Sequence, residues 1–311
     1  SFSLGKPGGE ITQHIGAYQI THQEKGITLI DTPGHEAFSA IRARGAKVAD
    51  IAILVVAADE GVKPQTVESI NLIKAAGAPV VVAVTKIDKP EANLEKVMGE
   101  LAEHGLVSEK WGGKTVVVPV SSKTGQGVDE LLEMILLTAD LLDLNVPFDG
   151  PAVATIIETH RDAKVGVVAT VVVEKGTLNT ADFFVAGQTY GKIRYLENHQ
   201  GMRVKEASPG TPVRVAGFVD LPLIGDTLKE VASEKEARVI SERRNRLAQA
   251  RRAIALKRLD LDALTEQIRQ TAAQDVKIVL KADNLGSLEA LKAEIEKIRA
   301  TRGRITIIQA G

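Results

Sequence analysis

Asp31-Thr32-Pro33-Gly34-His35 is the first of three polar segments that decide how this chain folds. Thr85-Lys86-Ile87-Asp88 and Ser121-Ser122-Lys123 follow it in that order, each directly after a run of β-branched and apolar residues. Such runs are typical of strands in a largely parallel sheet, and ligands bind at the loops that follow the carboxyl ends of these strands. The three segments therefore predict a ligand site on an α/β sheet.

The residue types in these segments fit a guanine nucleotide and its magnesium ion. Asp31 supplies a hard carboxylate that can hold Mg²⁺ directly or through water, and Gly34 lets a backbone N–H approach a terminal phosphate. His35 follows where an imidazole can position or polarise an attacking water. Asp88 can accept two hydrogen bonds from the N1–H and the exocyclic amine of guanine, while the Lys86 stem packs along the ring.

The third segment adds further donors to the predicted site, while the phosphate loop that usually accompanies such a site is absent from the sequence. Ser121-Ser122-Lys123 can supply backbone donors for the carbonyl oxygen of guanine. Each segment alone is also typical of a solvated turn, whereas the three together favour a site. No G-x-x-x-x-G-K-[S/T] phosphate loop precedes Asp31, and Pro7 removes an N–H that a cradle around Lys6 would need. The site is therefore predicted without its phosphate cradle.

Composition bounds the class of protein. The 311 residues are 44% hydrophobic and 25% charged, which is ordinary for a globular chain of two or three domains. A net charge of -1 gives no global attraction to nucleic acid, and the absence of cysteine excludes disulfides and thiolate metal sites. No apolar run is long enough to cross a bilayer, and residues 1–10 lack a signal-peptide core. We expect a cytoplasmic protein without membrane contact.

Hydrophobic periodicity divides the chain into four parts. Residues 1–148 alternate strand and helix patterns, which predicts an α/β domain with a mostly parallel sheet. Residues 149–232 carry short β-rich runs with frequent turns, which favour a small β-barrel. Residues 233–274 predict a long basic helix, and residues 275–311 predict the start of a βαβ domain, with Ser287 capping its helix.

The individual elements follow from the same patterns. In the first part we predict a hairpin of strands 15–21 and 27–31 at one edge of the sheet, then strands 51–57, 80–84 and 116–120. The intervening helices are predicted at 36–46, 65–76, 92–104 and 128–142. The clearest barrel strands are 165–173, 183–186, 192–196 and 212–216, and the last part predicts strands 276–282 and 305–308 around helix 287–299.

A longer string allows a family to be named. Ile11-Thr12-Gln13-His14-Ile15-Gly16-Ala17-Tyr18, followed by Asp31 to His35, resembles the GTP-binding domain of the bacterial translation initiation factor two family, which are translational GTPases. The similarity continues through 57–66, 111–113, 176–178 and 280–283, and so covers the whole chain. The resemblance implies a P-loop-GTPase-like sheet domain, a translation-factor-type barrel, a helix and a third α/β domain. It also implies that the sequence is incomplete at both ends.

On the phosphate side, the resemblance assigns four residues. Thr12 would contact Mg²⁺ and the γ-phosphate, Asp31 would hold a water of the Mg²⁺ ion, and Gly34 would sense the γ-phosphate. His35 would be the catalytic histidine. In the family the strand before the phosphate loop lies in the middle of the sheet, so without it we expect ladder groups to be left unpaired.

On the base side, the resemblance places Lys86, Asp88 and Ser122 on guanine. Thr85, Ser121 and Lys123, which adjoin them in the same two segments, complete the predicted nucleotide-binding residues. Thr85 departs from the family pattern, which has Asn before Lys-Ile-Asp. A hydroxyl can make one hydrogen bond but lacks the paired donor and acceptor of a carboxamide, so we expect weakened base binding.

The resemblance also implies a function. The family uses ribosome-stimulated GTP hydrolysis in translation initiation, promoting initiator tRNA placement and subunit joining, with GTP or GDP and Mg as cofactors. The implied partners are both ribosomal subunits and their RNA, with initiator tRNA bound only through a region beyond Gly311. A monomer is expected. Because the phosphate loop is missing, we expect the chain alone not to hydrolyse GTP.

A basic stretch at 243–258 contains no acidic residue. On a helix it would concentrate positive potential suited to RNA phosphates, although such stretches are also common on solvated helix faces. The candidate RNA contacts are Arg243, Arg244, Arg246, Arg251, Arg252, Lys257 and Arg258.

Two alternatives stay open. A non-catalytic ribosome- or RNA-binding scaffold with an incomplete nucleotide site is favoured by Thr85 and by the missing phosphate loop. Another translational GTPase, such as an elongation factor, shares the guanine motifs but does not explain the string at 12–18 or the elements after the barrel.

Overall fold

The computed structural model describes residues 16–34, 38–267, 274–282, 285–298 and 303–310. The chain divides into two compact units. Of the described residues, the α/β unit contains 22–25 and those within 32–145, and the barrel unit contains 16–21, 26–31 and those from 146 onward.

The first element is a hairpin of strands β1 (Gly16–His22) and β2 (Lys25–Asp31). Its two-residue turn has positive φ at Gln23 (48°) and Glu24 (63°), the sign that matches the twist of paired strands. The hairpin was expected at an edge of the larger sheet, and this is wrong for the described residues, because β1 and β2 form a two-stranded sheet of their own. No described strand bridges the two sheets.

The α/β unit contains the predicted parallel sheet. Its strands are β3 (Ala52–Ala57), β4 (Val80–Thr85) and β5 (Val116–Pro119), hydrogen-bonded in the order β3-β4-β5. Its helices are α1 (Ser39–Val48), α2 (Pro64–Ala76), α3 (Leu94–Glu103) and α4 (Val128–Leu141). Pro64 begins α2 at a position where its missing N–H costs nothing, and the Asn93 side chain accepts a hydrogen bond from Lys96 N–H to cap α3.

The two faces of this sheet are covered unequally. One face buries Leu54, Val82 and Val84 against Ile70 of α2 and Leu101 of α3. The opposite face, where α4 packs, has a smaller core of Ala83, Val118 and Val120.

Val55 lies beside Ala83 on that second face and is 60% exposed, although it belongs to an apolar strand. The outer edge of β3 has no ladder partner among the described residues. This matches the unpaired ladder groups expected from the sequence.

The barrel unit contains β6 (Val153–Asp162), β7 (Gly166–Lys175), β8 (Leu178–Asn179), β9 (Phe183–Ala186), β10 (Thr189–Asn198), β11 (Arg203–Val204), β12 (Glu206–Ala207), β13 (Pro212–Phe218) and β14 (Thr227–Val231). The main sheet runs β11-β10-β13-β7-β6-β14-β9, and β9 pairs again with β10, so the sheet closes on itself. The predicted small barrel is confirmed, while β6 and β14 were not among the predicted strands.

Close backbone approach shapes one side of this barrel. A Cβ on Gly191 would come within 2.2 Å of the Gly217 carbonyl oxygen, and Gly217 itself has φ 126°. Only glycine fits both demands, because it has no Cβ and accepts positive φ. The two strands can therefore pack over Phe184, which meets Phe218 edge to face with ring centroids 4.6 Å apart.

After the barrel come α5 (Glu234–Gln267), β15 (Gln274–Leu280), α6 (Leu285–Lys297) and β16 (Gly303–Ala310). Strands β15 and β16 pair in parallel with α6 between them in sequence, as predicted for the start of a βαβ domain. Helix α6 begins at Leu285, so Ser287 lies inside its first turn and the predicted cap is wrong. The predicted helical residues 268–273 lie outside the described part of the chain.

Helix α5 is fixed to the barrel at its start. Glu236 N–H donates to the Ser233 hydroxyl, and the Glu236 carboxylate accepts from Ala232 N–H, which resembles a capping box. One turn later the Ser241 hydroxyl and the Asn245 amide both donate to the Gln188 carbonyl oxygen, at 2.7 and 2.8 Å. Within the described residues, no helix has both the length and the apolar character needed to cross a bilayer.

Replacing Phe184 with Ala should lower the free energy of unfolding of the barrel by roughly 3–5 kcal/mol, because the fully buried ring would leave a cavity. Urea denaturation followed by circular dichroism measures the loss. Phe183→Ala is the matched control, since its ring is only half-buried and lies 5.0 Å from the Lys192 ammonium. Equal losses in the two variants would contradict this description of the core.

Candidate nucleotide site

Three loops leave the carboxyl ends of β3, β4 and β5 at one side of the α/β unit. The first begins with Asp59 and Glu60, the second contains Lys86 and Asp88, and the third begins with Ser121. The structure therefore brings the second and third polar segments together, as the sequence predicts.

The contact between these two segments joins Asp88 to Ser121. The buried Ser121 hydroxyl donates to Asp88 Oδ1 at 2.7 Å, and this bond lowers the pKa of the Asp88 carboxyl below its ordinary value. Lowering the pKa keeps the group ionised, which leaves it an acceptor for the two donors of guanine. Ser121 thus orients the residue that would select the base.

The backbone N–H groups of the third loop differ in whether they already have an acceptor. Ser121 N–H donates to the Gln126 carbonyl oxygen at 2.9 Å, so it does not serve as the ligand donor that the sequence suggested. The N–H groups of Ser122 and Lys123 have no backbone acceptor among the described residues. The predicted contact of these two N–H groups with the carbonyl oxygen of a base stays a prediction.

Lys86 lies in an ion-pair network that the sequence did not reveal. Its ammonium is 2.7 Å from Glu60 Oε1 and 3.5 Å from Asp59 Oδ1, and Lys89 pairs with the other Asp59 oxygen at 2.5 Å. The hydrogen bond from Lys86 to Glu60 raises the pKa of Lys86, and the lysine partners Lys86 and Lys89 lower the pKa values of Glu60 and Asp59.

Two features mark this network in the structure. Asp59 and Glu60 lie just after β3, separated from it by Ala58, and Gly61 then ends the segment with φ 76°. Lys86 itself has φ 58°, an uncommon conformation for a side chain of this size, and such backbone strain tends to occur at functional sites.

Thr85 makes a different contact from the one expected of a base ligand. Its hydroxyl donates to the Val56 carbonyl oxygen on the neighbouring strand at 3.4 Å. The role of Thr85 on the base remains a prediction.

Of the four residues predicted to contact the phosphates or Mg²⁺, the structure describes two. Gly34 is exposed in the α/β unit, and a Cβ on it would meet no described residue within 4 Å. Asp31 ends β2 in the barrel unit. Thr12 and His35 lie outside the described residues. In the described part of the chain, no three metal-ligating side chains cluster to form a metal site.

The basic stretch lies on α5 of the barrel unit. Arg243, Arg246 and Arg251 are exposed, and Arg244 donates to the Gly187 carbonyl oxygen at 2.9 Å. The side chains of Arg252, Lys257 and Arg258 are outside the described set.

Replacing Ser121 with Ala should raise the pKa of Asp88 toward its ordinary value, because the hydrogen bond that chiefly holds it low would be lost. Wild-type Asp88 stays ionised until the pH falls through its lowered pKa, so the variant should protonate at higher pH. Carbon-detected NMR titration of the Asp88 carboxyl measures this. Ser122→Ala, an exposed neighbour, should leave the titration unchanged, and an unshifted Asp88 in Ser121→Ala would refute the assignment.

Comparisons with known proteins show which families and folds this chain resembles. Three family models match successive segments: the elongation factor Tu GTP binding domain over 8–140, elongation factor G domain 2 over 151–231, and translation-initiation factor 2 over 250–311. The structure of GDP-bound aIF5B from Aeropyrum pernix aligns with a TM-score of 0.63 and 28% identity, over 98% of this chain and 59% of that one. The structure of translation elongation factor SelB from Methanococcus maripaludis, in complex with the GTP analogue GppNHp, aligns with a TM-score of 0.55 and 26% identity. This alignment covers 71% of this chain and 50% of that one. The fold and these matches define a chain built from the domains of translation factors, the first of them a GTP binding domain.

Curated relatives identify one family within this class of translation factors. The chain is 51% identical over 309 residues to translation initiation factor IF-2 of Symbiobacterium thermophilum, covering 99% of this chain and 29% of the relative. It is 50% identical to the IF-2 of Halothermothrix orenii, over 97% of this chain and 44% of the relative. It is 52% identical to the IF-2 of Aquifex aeolicus, over 96% of this chain and 37% of the relative. The chain belongs to the translation initiation factor IF-2 family. It spans less than half the length of these relatives.

Proposed function

We propose that this chain supplies the guanine-nucleotide site and the barrel of a translation initiation factor that hydrolyses GTP on the ribosome. The observation that carries the proposal is the ionised Asp88, held by Ser121 where the loops after β4 and β5 meet. The shared name of the curated relatives supports it, and the GDP bound to aIF5B supports the choice of nucleotide.

Recognition of the base follows from hydrogen-bond chemistry. Asp88 accepts from the N1–H and the exocyclic amine of guanine, a pair of donors that adenine lacks. The Lys86 stem packs along the ring while Glu60 holds its ammonium at 2.7 Å. Ser122 and Lys123 donate their N–H groups to the guanine carbonyl oxygen.

Recognition of the phosphates and Mg²⁺ uses the four residues predicted from the family resemblance. The Gly34 N–H donates to the terminal phosphate, and His35 positions the attacking water. Asp31 and Thr12 offer the oxygen ligands that Mg²⁺ prefers, and Mg²⁺ commonly takes only one or two protein ligands beside phosphates and water. A bound Mg²⁺ would neutralise charge on the phosphates.

Phosphate binding also needs donors beyond these residues. The open edge of β3 and the exposed Val55 beside it fit a further parallel strand whose following helix would cover the apolar face. Leu137 and Leu141 on α4 are 53% and 80% exposed and belong to the helix packed on that face. We infer that such a strand, loop and helix carry the phosphate cradle, so the chain alone should not hydrolyse GTP.

Titration with a fluorescent GTP analogue and with GDP, in the presence of Mg²⁺, tests the proposal directly. Asp88→Asn should weaken guanine binding by at least about tenfold, because a charged acceptor of two hydrogen bonds is lost. The same variant should gain affinity for xanthine nucleotides, because its amide can donate to the oxygen that replaces the guanine amine.

Asp129→Asn is the matched control, since Asp129 is an exposed carboxylate in the first turn of α4. It should leave both nucleotide affinities unchanged. If the folded chain binds neither GDP nor the GTP analogue, or if Asp88→Asn does not change base preference, the guanine site is refuted for this chain.

RNA binding by α5 is a second candidate function, favoured by its exposed arginines. Replacing Arg243, Arg246 and Arg251 with Gln should weaken binding to ribosomal RNA and lower the slope of log affinity against log salt by roughly 2–3, if each contacts one phosphate. Lys96→Gln, an exposed cation on the α/β unit, is the control. An unchanged slope in the triple variant would exclude α5 as the contact.

A further inference from the structure

A buried arginine connects the loop after β2 to two helices of the α/β unit. Arg42 lies in α1 and its side chain is only 8% exposed. Its Nη1 donates to the Pro33 carbonyl oxygen at 3.0 Å, and its Nη2 donates to Glu68 Oε2 of α2 at 2.6 Å. The Ser39 hydroxyl also donates to Glu68, from the first turn of α1. One cation thus joins the loop, α1 and α2.

The chemistry of this position calls for arginine. A charge taken out of water is costly unless it is paired and hydrogen-bonded, and Glu68 supplies the opposite charge. The guanidinium reaches its two partners with different nitrogens in one rigid plane, which the single ammonium of lysine cannot do.

A second contact holds the same loop. A Cβ on Gly45 of α1 would lie 3.1 Å from Thr32 Cγ2, so the helix passes Thr32 closely because residue 45 is glycine. Thr32 and Pro33 are therefore both fixed against α1. At the next residue, Gly34, no residue that the structure describes lies within 4 Å of the place where a Cβ would be.

The Pro33 carbonyl and the Gly34 N–H belong to one peptide group. Because that group is planar and trans, its N–H points opposite to its C=O. Arg42 holds the oxygen on the helix side, so the Gly34 N–H faces away from α1. A charged donor on the carbonyl also polarises the peptide and strengthens its N–H as a donor.

We propose that Arg42 is a positioning residue for phosphate recognition: through its hydrogen bond to Pro33 and its ion pair with Glu68, it fixes the direction of the Gly34 N–H. This inference rests on the proposed function, in which that N–H donates to the terminal phosphate of GTP. Arg42 touches no phosphate itself. The contact between the Gly34 N–H and the terminal phosphate, which distinguishes GTP from GDP, therefore depends on the packing of α1 and α2.

Two measurements on the whole chain test this proposal. In Arg42→Lys and Glu68→Gln, the NMR order parameter of the Gly34 amide should fall from about 0.85 to below about 0.6, while the amides of β4 keep theirs. The ratio of affinities for a non-hydrolysable GTP analogue and for GDP should fall by about tenfold, with GDP binding within about twofold of wild type. A purely structural role would weaken both nucleotides alike. Lys47→Met, which removes an exposed cation in the last turn of α1, is the matched control.

The results separate this inference from the function on which it rests. If wild type binds neither nucleotide, the proposed function fails, and the Gly34 order parameter alone decides whether Arg42 holds the peptide. If Arg42→Lys does not fold, Glu68→Gln carries the same test, since it keeps the shape of the side chain and removes its charge. An unchanged order parameter and an unchanged affinity ratio in a folded variant would overturn the proposal.

Discussion

The parallel ladder that pairs Ala57 with Thr85 and Val84 with Pro119 sets the level at which three loops leave the sheet. Strands in parallel register end at one side, so residues far apart in sequence become neighbours there. The Asp88 contact with Ser121 and the Lys86 contact with Glu60 both depend on this alignment. A slip of one residue would turn the buried side chains to the opposite face, and the core over α2 and α3 opposes it.

Sequence patterns locate most of this sheet because its central strands are covered on both faces. Continuous valine runs predict β4 and β5 to within one residue. Strand β6 was missed for an identifiable reason. Its register shifts between Ile156 and Glu158, so apolar and polar residues do not alternate regularly along it. A pattern of period two does not identify a strand with such a bulge.

Only part of the candidate site could be predicted from the sequence, for a similar reason. A carboxylate after a strand is as typical of a solvated turn as of an ion pair, so Asp59 and Glu60 carry no distinctive signal until their lysine partners are placed. Arg42 is a stronger case, because a charged residue in a helix predicts an exposed position. Its burial depends on Glu68, 26 residues away in sequence, and on a loop carbonyl that no side-chain pattern reports.

The energetics of the Lys86 loop show why a ligand matters to its conformation. The left-handed backbone at Lys86 costs roughly 1–2 kcal/mol relative to an ordinary conformation. Its shorter ion pair, with Glu60, is solvent-exposed, and exposed pairs of this kind contribute little. Its pair with the less exposed Asp59 is longer, at 3.5 Å. The hydrogen bond between Ile87 N–H and the Val120 carbonyl oxygen is long, at 3.5 Å. The free loop is therefore held by several weak contacts, whereas Asp88 is held by one strong contact to a buried hydroxyl. Ile87 already packs against the core over α2 and α3. A base that packs on the Lys86 stem would add a second apolar contact at the strained residue itself, so base binding and ordering of this loop should stabilise each other.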